Sequence, residues 1–513
     1  MAYPRIYNAA NDMVDAHVAA GRGGNLAFID PTRRMTYGEL AGETNRMANL
    51  LVSLGLQREM RIALLLPDTI DFPVCFWGAI KAGIPPVPLN TLLTAEQYGY
   101  ILADARVKAL IVSPALLAVV QPILKDLGDL IHVIVAGGDA PAYGFALATE
   151  LAPHSATFKV VETCADEVAF WLYSSGSTGA PKGARHVHTS MMDTARLYGQ
   201  GVLGIQESDV IFSAAKLFFA YGLGNGMSFP MSAGATTVLL PDRPTPDSVF
   251  QTLRDYQPTI FCGVPTLYTA ILATAACRPE TGSRRLRACI SAGEALPAEI
   301  GRIWRQRFGV DILDGVGSTE MLHIYVSNRP DDIRYGTSGR AVKGYDIKLA
   351  DEKGRSPAAG EVGEMLVRGP TAAEGYWNQR DKSRRTFEGE WMRTGDKYTC
   401  SADGYYTYAG RTDDMFKVSG IWVSPFEVES ALIGHTDVLE AAVVPAEDAD
   451  GLTKPKAFVV LKNGAKPSEA LEAALKDHVK AAAGPWKYPR WIVFADGLPK
   501  TATGKIQRYK LRD

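Results

Sequence analysis

The sequence predicts an α/β protein: a large N-terminal domain of βαβ layers, a small β-rich subdomain within it, and a small α+β C-terminal domain. Three observations predict it. Short apolar runs alternate with helical periodicity through the first half of the chain, the pattern of βαβ units around a largely parallel sheet. After about residue 335, short strands separated by turn residues take over. Beyond residue 413 the βαβ texture resumes on a smaller scale. The expected division is therefore 1–412, with the β-rich part at about 335–412, and 413–513.

Residues 61–67 (RIALLLP) read as a buried strand. Residues 71–83 put Phe72, Cys75, Phe76 and Ile80 on one helical face, and Gly83 ends that helix before Pro85 and Pro86. A strand at 87–89, a helix at 94–103 and strands at 108–113 and 132–136 follow. A similar alternation returns between 209 and 292. In the β-rich part, 347–350 and 363–368 are short strands, and Asp403-Gly404 marks a hairpin turn between 397–400 and 405–408.

The chain has 513 residues, with 54 Lys and Arg against 56 Asp and Glu. With 47% apolar and 21% charged residues, disorder, collagen-like repeats and coiled coil are excluded. A net charge of −2 leaves no broad basic field and argues against a nucleic acid partner. Residues 484–513 are a local exception, with seven basic side chains against two acidic. The six cysteines are scattered, with no Cys-x-x-Cys pair, as expected of buried thiols in a reducing compartment. The N-terminus lacks a basic segment followed by an apolar one, so no signal peptide is read. The uncharged run 217–241 contains Gly222, Gly224, Gly226, Pro230 and Gly234, too many breakers for a membrane span. A soluble cytoplasmic protein without a membrane partner is expected.

The most chemical segment is YSSGSTGAPKG at 173–183, just after the apolar run 168–172. Gly176, Gly179 and Gly183 permit backbone geometry in which successive amides converge on an anion. Ser174, Ser175, Ser177 and Thr178 add hydroxyl donors, and Lys182 adds positive charge. It is not a Walker A loop, because Pro181 precedes Lys182 and Gly183 follows it. Elsewhere, His186 and His188 are metal-type residues with no third ligand, and read as structural.

The 173–183 segment resembles the signature loop of the adenylate-forming superfamily, which includes acyl- and aryl-CoA synthetases. Ser174 stands where that family more often has Thr. Other motifs recur in the family's order. SAGEALP at 291–297 resembles the segment that packs on adenine, which implies nucleotide contacts at Gly293, Glu294 and Ala295. DGVGSTE at 314–320 resembles the next motif, which implies nucleotide contacts at Asp314, Gly315 and Val316, phosphate contact at Thr319, and Mg²⁺ on Glu320 with Thr178. A carboxylate suits this hard cation. The resemblance further places Asp396 on the ribose hydroxyls, Arg411 on ribose or phosphate, Asp413 at a domain hinge, and Lys505 as the catalytic lysine on a mobile C-terminal domain. Lys417, Ser419, Gly420 and Trp422 fall near the expected CoA tunnel.

The stretches 216–225, 318–325 and 416–425 resemble those of benzoate-type CoA ligases within the family. That implies an acid pocket of Phe219, Ala220, Tyr221, Gly222, Gly317, His323 and Ile324, with Gly293 nearby and Lys505 on the carboxylate. Glycines between aromatic walls make a flat slot, which suits an aryl ring. The resemblance implies an aromatic carboxylic acid, ATP and CoA as substrates, Mg²⁺ as cofactor, and a monomer or homodimer. Ligases of 4-hydroxybenzoate or other substituted benzoates, a carrier-protein-loading adenylation enzyme and a non-catalytic nucleotide-binding relative are the alternatives.

Overall fold

The structure is a computed structural model. It describes residues 3–176, 179–412, 414–418, 421–449, 451–462, 464–500 and 506–512, and of residues 175, 176, 179, 421 and 422 only the backbone. Ser177, Thr178, Asp413, Ser419, Gly420 and Lys505, all named above, lie outside the described residues.

Five parallel strands form one sheet among the described residues, in the spatial order Pro86–Pro88, Arg61–Leu65, Val107–Val112, His132–Val135, Phe145–Ala146. The first four are buried on both faces at their centres, which is why they read as unbroken apolar runs, whereas Phe145–Ala146 is only half-buried. Helix Tyr37–Ser53 starts at a capping box in which Thr36 and Glu39 satisfy each other's orphan amides. It packs on helix Asp71–Lys81, the predicted amphipathic helix, buried on nearly every face.

A nine-stranded sheet lies beside the first. Its parallel core runs Ile312–Gly317, Ala288–Ser291, Ile260–Gly263, Val210–Ser213, Thr236–Val238, Leu26–Ile29, with antiparallel strands at both edges. The β-rich part is an antiparallel sheet of Asp346–Ala350, Val362–Arg368, Trp391–Cys400, Phe387–Glu388 and Tyr406–Arg411. Farther on, Val438–Glu447, Thr453–Leu461 and Trp491–Phe494 form a three-stranded sheet under helices Pro425–Ile433 and Glu469–Ala483. That unit buries its own apolar cluster, including Val428, Leu432, Val443, Val459 and Leu475. No helix among the described residues is long and apolar enough to cross a membrane. The uncharged run at 217–241 is apolar because its helical turns are buried in the core.

Two local features differ from the expectation. The 173–183 segment is not a loop after a strand: strand Val168–Gly176 pairs antiparallel with Gly179–Val187 almost to the tip. The Tyr173 ring lies against Gly183, where an added Cβ would meet Cζ at 2.9 Å. Gly183 therefore makes room for an aromatic ring rather than for an anion. Second, helical stretches at Ala195–Gln200 and Gly224–Ser228 are widened to π turns, which often mark functional sites.

Candidate active site

In open α/β sheets ligands bind beyond the carboxyl ends of the parallel strands. Here Ser213, Gly263, Ser291 and Gly317 are those ends. The chain leaving Ser213 becomes the 214–219 loop, Ser291 leads into Gly293, Glu294 and Ala295, and Gly317 leads into Thr319 and Glu320. The motifs at 291–297 and 314–320, separated by residues 298–313, thus emerge side by side because their strands are neighbours. Gly293 has φ +94°, a left-handed conformation that lets the chain turn sharply away from the sheet.

The phosphate hairpin delivers Lys182 to this edge. Its ammonium donates to Tyr376 Oη at 2.8 Å and pairs with Glu320 Oε1 at 3.3 Å. The Tyr376 hydroxyl donates to the same Glu320 oxygen at 2.7 Å. Burial raises the Glu320 pKa, but Lys182 and the Tyr376 hydroxyl outweigh it and hold the carboxyl below its usual range. Cross-strand from Lys182, Ser174 Oγ is enclosed and has no hydrogen-bond partner. His186, read as structural, joins its Nε2 to the Thr319 carbonyl at 2.9 Å and stacks on Phe170. Burial lowers its pKa to about 4, so it is neutral. His188 is held near 4 by burial as well, and its Nδ1 accepts from the Ala9 amide.

Asp396 and Arg411 face each other across the antiparallel pair and form an ion pair at 3.0 Å. Gly395, at φ +71°, lies under the Arg411 guanidinium, where a Cβ would sit 3.1 Å from Nη2. The buried Tyr325 hydroxyl lies within electrostatic reach of Asp396, Glu320 and Arg411, which places the predicted ribose and metal groups around one centre. Asp314, near the carboxyl end of its strand, is almost fully buried, and the Ser291 hydroxyl on the adjacent strand lies against its carboxyl. Burial pushes the Asp314 carboxyl well above its usual pKa. A buried carboxyl beside a hydroxyl suits the edge of a polar heterocycle.

The acid-pocket residues converge from two loops. Gly317 pairs with Ile324 across an antiparallel ladder, and a Cβ on Gly317 would meet the His323 carbonyl oxygen at 2.5 Å. A Cβ on Gly222 would lie 2.0 Å from the Lys216 carbonyl oxygen, so that loop closes only over glycine. Ala220 is buried, while Phe219 packs edge-on against Phe218 at the start of the same helical turn. The Tyr221 hydroxyl donates to the Gly263 and Ile290 carbonyls, so its ring is a fixed wall with no free polar end. His323 is wedged among Tyr198, Tyr221 and Phe229, its Nε2 on the Tyr221 carbonyl at 3.3 Å and its Nδ1 enclosed without a partner. Burial lowers its pKa to about 3, so it stays neutral with an acceptor at Nδ1.

Gly224, absent from the predicted pocket, holds this wedge closed. A Cβ there would lie 2.4 Å from His323 Cδ2 and 2.9 Å from Phe229 Cζ. Gly224→Ala is expected to destabilise the protein by about 1–3 kcal/mol through overpacking. It should also lower kcat/KM for the acid at least about tenfold, because His323 and Tyr221 are pushed together. Denaturant unfolding and steady-state kinetics check both.

Two functional candidates had no clear sequence signal. Tyr376 lies in EGYW at 374–377, outside all the motifs, and only chain pairing with the hairpin brings it to Glu320. Lys216 is buried with its ammonium on the Leu240 and Asp242 carbonyls, 3.9 Å from Asp68. It braces the loop over which Gly222 closes. Lys417, expected near the CoA tunnel, lines a surface cleft of about 280 Å³ with Asp351, Lys353, Arg355 and Lys397. None of the lining residues belongs to the acid-pocket set.

The residues fit Mg²⁺. Among the described residues no three His, Cys, Asp or Glu side chains cluster as a metal cage. One carboxylate held below its usual pKa, Glu320, stands beside Lys182 at the mouth of the 168–187 hairpin, which would suit a cation held largely by phosphate oxygens and water.

A family model of AMP-binding enzymes matches residues 15–377, and a model of the AMP-binding enzyme C-terminal domain matches 427–505. The chain belongs to the AMP-binding, adenylate-forming enzyme family. It is 58% identical over 510 residues to a 4-hydroxybenzoate–CoA/benzoate–CoA ligase of Rhodopseudomonas palustris, covering 99% of this chain and 94% of that protein. It is 56% identical over 511 residues to a benzoate–CoA ligase of Thauera aromatica, covering 99% and 96%. The crystal structure of the anthranilate CoA ligase AuaEII with anthranoyl-AMP superposes with a TM-score of 0.96 at 43% identity, covering 99% of this chain and 97% of that one.

Proposed function

We propose that this chain is an ATP- and Mg²⁺-dependent benzoate–CoA ligase of the cytoplasm. The observation that carries the reading is 56–58% identity, end to end, to two ligases whose names share benzoate. Six cysteines without disulfides fit a reducing compartment.

In the first half-reaction the benzoate carboxylate attacks the α-phosphorus of ATP, pyrophosphate leaves, and benzoyl-AMP forms. Two anions meet, so positive charge and donors aimed at the developing oxygens set the rate. Lys182, Ser174, Ser175, Gly176, Ser177, Thr178 and Gly179 take the phosphates, Thr319 assists them, and Lys505 draws the benzoate carboxylate to the α-phosphate. Glu320 and Thr178 hold Mg²⁺, which neutralises phosphate charge when bound. Gly293, Glu294, Ala295, Asp314, Gly315 and Val316 receive adenine, and Asp396 with Arg411 receives ribose. In the second half-reaction the CoA thiolate attacks the acyl carbon and AMP leaves. The 413–513 unit turns about Asp413 between the two steps, and Lys417, Ser419, Gly420 and Trp422 then serve the CoA side.

One screen tests the reading: CoA-dependent AMP release over benzoate, hydroxy-, amino- and halobenzoates, with medium-chain fatty acids as controls. Benzoate should exceed the fatty acids by at least about a hundredfold in kcat/KM, the discrimination a shaped pocket delivers. Turnover of fatty acids alone sinks the proposal. A second reading, 4-hydroxybenzoate as preferred acid, is favoured by the orphaned His323 Nδ1, which can accept from a ring hydroxyl. It predicts a higher kcat/KM for 4-hydroxybenzoate in the same screen.

A further inference from the structure

Tyr376 stands between two elements that the proposed chemistry must separate. Lys182 is engaged by Glu320 and by Tyr376 Oη, with its ammonium 4.4 Å from the Tyr376 ring centroid. ATP phosphates must draw Lys182 away, and Glu320 then loses the cation beside it. An enclosed carboxylate left without a partner is costly. The Tyr376 hydroxyl does not leave with the lysine, because the whole segment is tied down. Ala373 N donates to the Glu320 carbonyl at 2.8 Å, Glu374 N to the Arg185 carbonyl at 2.9 Å, and Trp377 N to the Gly183 carbonyl at 2.9 Å. Tyr376 N donates to Ser383 Oγ at 2.9 Å, and the ring packs on Phe387. The 373–377 segment therefore stitches the phosphate hairpin to the Glu320 loop.

We propose that Tyr376 is the positioning residue that presents Glu320 to the metal once Lys182 has moved to phosphate. Both side-chain hydrogen bonds of the carboxylate fall on Oε1, which leaves Oε2 as the oxygen that would meet the cation. Because backbone hydrogen bonds fix its partner, the carboxylate needs no reorganisation when the lysine departs. This rests on the reading of Glu320 as the Mg²⁺ ligand.

Tyr376→Phe keeps the ring and its packing and removes only the hydroxyl. Equilibrium dialysis of ATP against wild type and Y376F, in saturating Mg²⁺ and in EDTA, reads the Mg²⁺-dependent gain in nucleotide affinity directly. Loss of a hydrogen bond to a charged group should cut that gain about tenfold in Y376F. In a Glu320→Gln background the Phe substitution should add nothing, since its target charge is gone. An undiminished gain in Y376F overturns the proposal. So does equal weakening of metal-free and Mg²⁺-bound nucleotide, which marks a merely structural role. A wild type without any Mg²⁺ gain, or Glu320→Gln retaining all of it, overturns the reading of Glu320 instead and removes the ground under Tyr376.

Discussion

Glu320→Gln is expected to lower acyl-adenylate formation by about 10²–10³, the loss typical when one preorganised electrostatic group is removed. The substitution keeps the size of the side chain and can still accept from Tyr376, which donates to Oε1 at 2.7 Å. Packing against the Ala373 amide and the Thr371–Met321 contact should survive. What disappears is the negative charge. Two consequences then oppose each other. Lys182 loses its 3.3 Å partner and is released to phosphate, which favours ATP binding. The metal loses the carboxylate that fixes it, which slows the chemical step. The variant should therefore lose much of the Mg²⁺-dependent gain in ATP affinity as well as kcat, so that kcat/KM for ATP falls further than kcat alone. Benzoate-dependent ATP–pyrophosphate exchange, measured across Mg²⁺ concentrations, reads this. Exchange within threefold of wild type at ordinary Mg²⁺ would sink the metal assignment. Transfer from preformed benzoyl-AMP to CoA should proceed normally in the same variant, which separates a lost ligand from a misfolded protein.

What the sequence carried was the framework of the site, and the reason is topological. Strands read from apolar runs, such as 61–67 and 108–113, are buried on both faces and leave an unmistakable pattern. The motifs at 291–297 and 314–320 sit at the ends of neighbouring parallel strands, so their order along the chain already encodes their proximity. The phosphate segment was harder. Its glycines and hydroxyls read as a flexible nest, whereas ladder pairing of Ser174 with Lys182 and Tyr173 with Gly183 is a long-range property that composition does not contain. Gly224 and Tyr376 were invisible for the same reason. Gly224 matters because of a histidine 99 positions away, and Tyr376 because of a carboxylate 56 positions away. The π turns at Ala195–Gln200 and Gly224–Ser228 widen helices by tertiary packing, which periodicity cannot register.

Lys505→Ala should separate the two half-reactions most sharply. The described residues on either side of 501–505 are firmly held. Gln507 N donates to the Pro499 carbonyl at 2.8 Å, and Lys500 bridges to Ile506 in an isolated antiparallel pair. Lys500 Nζ donates to Glu440 at 2.5 Å. Arg508 grips buried Glu429 with two hydrogen bonds of 2.9 and 2.7 Å, while Arg512 reaches Asp414 at 2.5 Å. Residues 499–500 and 506–512, held by these contacts, do not rely on one lysine for their fold, so removing the ammonium should leave stability unchanged. Its absence should be felt where the benzoate carboxylate approaches the α-phosphate, because two anions then meet with one fewer cation between them. Pyrophosphate exchange is expected to fall by about 10²–10³. Acyl transfer from supplied benzoyl-AMP should stay within about twofold of wild type, since that step needs no second anion beside the phosphate. Equal loss in both half-reactions would show that the lysine supports the C-terminal unit as a whole. Unchanged exchange would remove Lys505 from the chemistry and leave Lys182 and the metal to carry the electrostatics alone.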